Sequence, residues 1–209
     1  NRVGNIKEIE QNYNKSNPEI GILDNFLTQE ALGDLQKYCR NANIFKQPYE
    51  FGYVGAFLTK GLSNKFFLKL TEDMRTTYPG IFKNHRLTQA WIFKYDNKRI
   101  GTKIHSDQAS INVNFWISPD NANLDVNSGG LVIWDKIPEA NSRFKEYNSH
   151  KASNEMLEFL QTSDTKAFKI PYKENRCVFF NSKLFHCTDV FHFEESYINR
   201  RINVTLLFD

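Results

Sequence analysis

The texture of the chain changes at Pro79-Gly80, and that change limits the folds open to its 209 residues. Ahead of it, apolar residues recur at helical spacing. Leu32, Leu35 and Cys39 follow Thr28, a candidate N-cap, and Phe66, Leu70, Met74 and Tyr78 follow Ser63. Within this half only the short apolar stretch 19–24 and the strand-like run 53–57 break the pattern, and residues 1–18 are polar. Behind it, 87–95, 109–117, 131–134, 168–170, 176–180 and 202–208 are β-branched or aromatic runs separated by turn residues. One helical stretch, 153–161, interrupts them through Met156, Leu157 and Leu160. Helices first and strands afterwards predict helices packed on one side of a mostly antiparallel sheet or barrel.

The length suits one domain, 1–209, with 1–84 as a helical support and 85–209 as the strand-rich core. Hydrophobic residues at 40% and charged residues at 24% make this a globular rather than a disordered composition. A formal net charge of +3, with Lys and Arg scattered, argues against a nucleic-acid partner. No apolar run approaches the ~20 residues of a membrane span, and the amino end lacks a signal-peptide core, so no membrane partner and a cytoplasmic location are expected. The chain begins with Asn1 rather than Met, consistent with an origin in a longer polypeptide. Cys39, Cys177 and Cys187 form neither an even set nor a C-x-x-C pair, and read as reduced, buried thiols.

The segment 95–107 carries the most chemistry: Tyr95 ends a strand, a Gly101-containing loop turns, and His105-Ser106-Asp107 follows. Residues two apart on extended backbone point to one face, so an imidazole and a carboxylate reach one ion together. A lone H-x-D is weak, and a third ligand is needed to complete a 2-His-1-carboxylate facial site. His186 follows the apolar run 176–180 and a short turn, and is preferred over His192, which stands beside Glu194 and Glu195 and reads as a rim residue. Alternation in 200–208 places Arg201, Asn203 and Thr205 on one face and Ile202, Val204, Leu206 and Phe208 on the other. A guanidinium at the head of a buried polar stripe suits the bidentate binding of a carboxylate, whereas Arg200 reads as an outward charge.

In this order the motifs resemble the 2-oxoglutarate/Fe(II)-dependent dioxygenase superfamily, in its prolyl 4-hydroxylase-like branch. The parts are Tyr95, Gly101, His105-x-Asp107, Gly129-Gly130-Leu131, V-F-F-N-S-x-x-x-H ending at His186, and Arg201-x-Asn203-x-Thr205. The resemblance covers roughly residues 85–209, and the stretch from His186 to Arg201 is longer than in that branch, with 191–199 as an inserted loop. It implies a mainly β fold with buttressing helices, a double-stranded β-helix (jelly roll, cupin-like). It further implies His105, Asp107 and His186 as iron ligands and catalytic centre, Arg201 as the 2-oxoglutarate anchor, and Tyr95 and Thr205 as further contacts to the co-substrate. Fe(II) and 2-oxoglutarate are the implied cofactors, and ascorbate is admitted with them.

The implied activity is hydroxylation of an unactivated C–H bond of a peptide, amino acid or small molecule, with release of succinate and CO2. Relatives that halogenate replace the carboxylate ligand, so Asp107 favours hydroxylation or oxidative demethylation. Asn112, Asn114 and Trp116 alternate on the strand after the ligands, either lining the co-substrate or substrate pocket, Asn114 foremost, or facing solvent on an edge strand. The polar loop 120–127 either carries specificity at the mouth or is an ordinary excursion. Two other readings remain open. A nucleobase demethylase shares the R-x-N-x-T pattern and would turn over a methylated oligonucleotide. A non-catalytic jelly-roll binding module would form no succinate.

Overall fold

Period-two alternation decides the layering of this protein, because each long strand presents one apolar face to the helices and a different face to the interior. The computed structural model describes residues 5–97, 101–148 and 150–209, and only the backbone of 150–152. In chain order the elements are α1 (Ile6–Lys15), β1 (Ile20–Leu23), α2 (Gln29–Asn41), β2 (Gln47–Tyr49), β3 (Tyr53–Phe57), α3 (Lys65–Thr77), α4 (Pro79–Phe82), β4 (Leu87–Tyr95) and β5 (Ile111–Trp116). They continue with β6 (Leu131–Trp134), α5 (Phe144–Tyr147), α6 (His150–Thr162), β7 (Ala167–Ile170), β8 (Cys177–Asn181), β9 (His186–Thr188) and β10 (Ile202–Phe208).

The large sheet runs β1-β8-β5-β10-β4-β3-β2, and a small sheet runs β7-β6-β9. All pairings are antiparallel. The expected jelly-roll arrangement of two facing sheets with helices on one side is met. The first 84 residues give more than helices, since β1, β2 and β3 extend both edges of the large sheet.

Thr28 caps α2 as expected, its hydroxyl accepting from Ala31 N at 3.2 Å. The cap of α3 is Asn64 rather than Ser63, its carbonyl accepting from both Phe66 N and Phe67 N. Consequently Phe67 and Met74 are the fully buried positions, with Phe66 and Leu70 flanking them. Pro79 does not end the helical region but sits at the first turn of α4, where its missing N–H costs nothing. Helix α1 lies in the polar amino-terminal stretch and buries only Tyr13.

One core lies between the helices and the outer face of the large sheet, built from Leu35, Phe67 and Phe82 against Val113, Phe179 and Val204. A second lies between the sheets, around Phe93, Trp116, Ile133, Phe180 and Phe193. Full burial of each such side chain contributes about 1.5–3 kcal/mol. Strand β5 lies between β8 and β10, so Asn112, Asn114 and Trp116 are interior rather than solvent-facing.

Candidate metal centre

The small sheet aligns the two candidate imidazoles. His105 and His186 form an isolated antiparallel bridge, with His105 N donating to His186 O at 3.0 Å and His186 N to His105 O at 2.9 Å. Residues so paired send their side chains to one face, and the rings lie 4.3 Å apart. Asp107, two residues on, joins them: one ligand atom each from His105, Asp107 and His186 lie within 4.8 Å of one another. The Asp107 carboxylate stands 3.5 Å from His186 Nε2 and 4.0 Å from His105 Nε2.

Three local devices hold this geometry. The turn after β8 delivers His186 to the small sheet, with Leu184 N donating to Asn181 O and Asp107 N to Ser182 O. Ser106, between the two ligands, donates its hydroxyl to Lys183 O, and Asn148 grips both of its backbone groups. Finally, each ring carries its proton on Nδ1, donated to Lys103 O at 2.6 Å by His105 and to Leu184 O at 2.8 Å by His186. That leaves both Nε2 lone pairs directed at the shared space, the form in which histidine binds a metal.

Electrostatics agree. Burial lowers the His105 pKa, as does the neighbouring His186, so the ring is neutral near pH 7 despite Asp107. Burial pushes the Asp107 carboxyl up, but the close His186 and His105 rings and the amide of Asn112 outweigh it and leave the pKa below the ordinary value. A neutral His105 and an ionised Asp107 are ligand forms suited to a divalent cation site.

Arg201 is fully buried, its guanidinium over the Tyr95 ring at 4.7 Å and near Phe191 and Trp116. Nε donates to Gly129 O and Nη2 to Gly130 O, while Nη1 has no hydrogen-bond partner among the described residues. Gly130 is required here, since a Cβ would fall 1.9 Å from Ile170 O, and Gly129 has φ +84°. Among the described residues no carboxylate forms an ion pair with Arg201, and burial lowers its pKa. Arg200 is half-exposed and 3.8 Å from Asp96.

The cavity at the centre is lined by Tyr95, Asn112, Asn114, Asn203 and Thr205 together with His105, Asp107 and His186. Beyond it opens a cleft of about 740 Å³, within the size of ordinary ligand pockets. Its walls are largely aromatic: Tyr49, Tyr53, Trp91 and Phe93 on the large sheet, Phe144 opposite. The sequence reading missed this wall and missed Asn148. The first was visible only as aromatic strand texture, and the second carries no local signal. His192 is exposed and remote from the cluster, and no residue of 120–127 lines either space. Residues 98–100 of the loop ahead of His105 lie outside the described residues. No described helix is long and apolar enough to cross a membrane.

No protein-family model matches the chain, and no curated protein matches it by sequence. Solved structures do. The epimerase SnoN from nogalamycin biosynthesis, in complex with Fe3+, alpha ketoglutarate and nogalamycin RO, superposes with a TM-score of 0.68 at 10% identity, covering 97% of this chain and 82% of that one. A prolyl-4-hydroxylase of Pseudomonas putida gives 0.63 at 11% identity, covering 98% of both chains. HygX from Streptomyces hygroscopicus, with nickel, 2-oxoglutarate and hygromycin B bound, gives 0.60 at 9% identity, covering 95% and 85%. At such identities the likeness is one of fold. The expected fold is thus matched in three dimensions: this chain has the double-stranded β-helix fold of the 2-oxoglutarate/Fe(II) oxygenases.

Proposed function

We propose that the protein is an Fe(II)- and 2-oxoglutarate-dependent oxygenase that hydroxylates an unactivated C–H bond of a small-molecule or peptide substrate, releasing succinate and CO2. The observation that carries this reading is the convergence of two Nε2 lone pairs and one carboxylate, in a protein that also buries a guanidinium whose Nη1 has no hydrogen-bond partner among the described residues. Both groups fit. The donor set is the facial 2-His-1-carboxylate type that leaves coordination positions open, and a buried cation with an unsatisfied Nη1 calls for an anion.

In this reading His105, Asp107 and His186 hold the metal, and Arg201 and Tyr95 receive the distal carboxylate of the diacid, with Asn114 and Thr205 in the wall between. Iron with 2-oxoglutarate and dioxygen supplies the oxidising chemistry, with ascorbate as the reductant that keeps iron ferrous. The chain supplies orientation and dryness. The carbonyls of Lys103 and Leu184 fix the ring planes, the Gly129 and Gly130 carbonyls aim the guanidinium, and the aromatic wall excludes water from the mouth. The cleft is the route by which a substrate reaches the metal. Neighbouring structures include an epimerase and a carbocyclase, so fold alone does not select hydroxylation. Asp107, which keeps the third protein ligand in place, counts against halogenation.

Anaerobic titration with Fe(II) and 2-oxoglutarate tests the proposal. A visible charge-transfer band is expected in the wild type and absent in His105→Ala. No band in a folded wild type removes the reading. With the band in hand, candidate substrates are ranked by the succinate they release.

A further inference from the structure

Asp107 has a partner that the reading above leaves unused. Asn112 Nδ2 donates to Asp107 Oδ2 at 2.9 Å, and Asn114 Nδ2 donates to Asn112 Oδ1 at 2.5 Å. Asn203 Nδ2 and Thr205 Oγ1 each donate to Asn114 Oδ1 at 2.9 Å, and Asn203 Nδ2 also reaches Thr205 Oγ1 at 2.9 Å. All four side chains are almost wholly buried, Asn112 at 0% and none above 5% exposed. They stand on neighbouring strands in register, Thr205 facing Asn114 across β10 and β5.

The orientation of this ladder is forced. An ionised carboxylate only accepts, so Asn112 must turn its amide nitrogen to Asp107. Its oxygen is then left to accept, which turns the nitrogen of Asn114 toward it, and the Asn114 oxygen in turn takes the Thr205 proton. One carboxylate thereby sets the direction of two amides and a hydroxyl. Such a chain is costly to bury half-satisfied and rigid when complete.

We propose that Asn112 is a positioning residue for the metal-binding carboxylate, braced by Asn114, Asn203 and Thr205. By donating to Oδ2 it fixes the plane of the Asp107 carboxylate, whose Oδ2 stands 3.5 Å from His186 Nε2 and Oδ1 4.0 Å from His105 Nε2. Thr205 accordingly works through the ladder, its proton committed to Asn114, rather than as a donor to the diacid. The inference rests on the reading of His105, Asp107 and His186 as a metal centre, and its test separates the two.

The test is titration of the full chain with Co(II), followed by its visible ligand-field absorption, without 2-oxoglutarate. Hydrogen-bond partners of metal ligands typically matter 10–100-fold in affinity. Asn112→Leu, which keeps volume and removes the amide, is expected to weaken Co(II) binding by about that factor and to shift the band, with far-UV circular dichroism unchanged. Asn114→Leu, which leaves Asn112 in contact but unbraced, is expected to weaken it by a smaller factor. It also serves as the deciding variant where Asn112→Leu does not fold. Folded leucine variants that bind Co(II) like the wild type, with an unshifted band, overturn the positioning role. Co(II) binding that survives unchanged in His105→Ala overturns the metal-centre reading itself.

Discussion

The two faces of β10 are equally hidden from water and do opposite things. Toward the helices, Ile202, Val204, Leu206 and Phe208 are at most 3% exposed and join the apolar core. Toward the small sheet, Arg201, Asn203 and Thr205 are at most 5% exposed, yet two of them line a cavity and the third keeps a guanidinium nitrogen without a hydrogen-bond partner among the described residues. Burial stabilises the first set by removing apolar surface from water. Burial of the second set is unfavourable unless every donor finds an acceptor, and the hydrogen-bond ladder and the glycine carbonyls meet only part of that need. Burial alone therefore does not distinguish core from site.

The sharpest way to break this contrast is at the ligands. His105→Ala is expected to abolish substrate-dependent succinate formation, by about three orders of magnitude or more, while the urea midpoint of the metal-free protein stays near that of the wild type. On the opposite face, Leu206→Ala is expected to cost about 2–5 kcal/mol in urea unfolding, with the charge-transfer band per folded molecule intact. Loss of stability in the first variant and of the band in the second would erase the distinction between the faces.

Arg201→Met sharpens the contrast further, because it removes both the charge and the donors to Gly129 and Gly130. The affinity for 2-oxoglutarate, read from the charge-transfer titration, is expected to fall about 30-fold or more. The metal-free stability should change by only about 1 kcal/mol, since relief of a buried charge offsets the lost hydrogen bonds. Away from both faces, hydrogen bonding and ion pairing with Arg176, aided by Lys173, hold the Asp24 carboxyl down to about 2 from its ordinary value of 3.8. A folded pKa below the unfolded one stabilises at pH above about 4 and is lost as pH falls toward about 2. Asp24→Asn is expected to remove about 1–2 kcal/mol at pH 7, allowing for partial exposure, and to flatten the acid limb of the stability profile. Smallest of all, His192→Ala should leave metal binding unchanged and stability within about 0.5 kcal/mol.

Much of this was legible in the residues. The strand texture after Pro79-Gly80, the face-by-face split of 202–208 and the His105-x-Asp107 pair all rest on local periodicity, and each reappears in the structure. Element ends were less legible: the cap moved from Ser63 to Asn64 because the longer amide reaches two backbone nitrogens. Helix α1 was missed because its stripe of Ile6, Ile9 and Tyr13 is short and lies in an otherwise polar stretch.

What the sequence determined by itself was the set of faces: period two decides which side chains share a side, whatever the strand is later paired with. It could nominate His186 over His192 and Arg201 over Arg200, but not bring them together. Only the tertiary structure decided that His105 lies across from His186 in register, that Asn148 clamps Ser106, and that Asn112, Asn114 and Thr205 form one directed chain ending on Asp107. The reason is physical: these relations depend on the antiparallel register between segments far apart in the chain. Register is fixed by the packing of two whole sheets rather than by any neighbour in sequence.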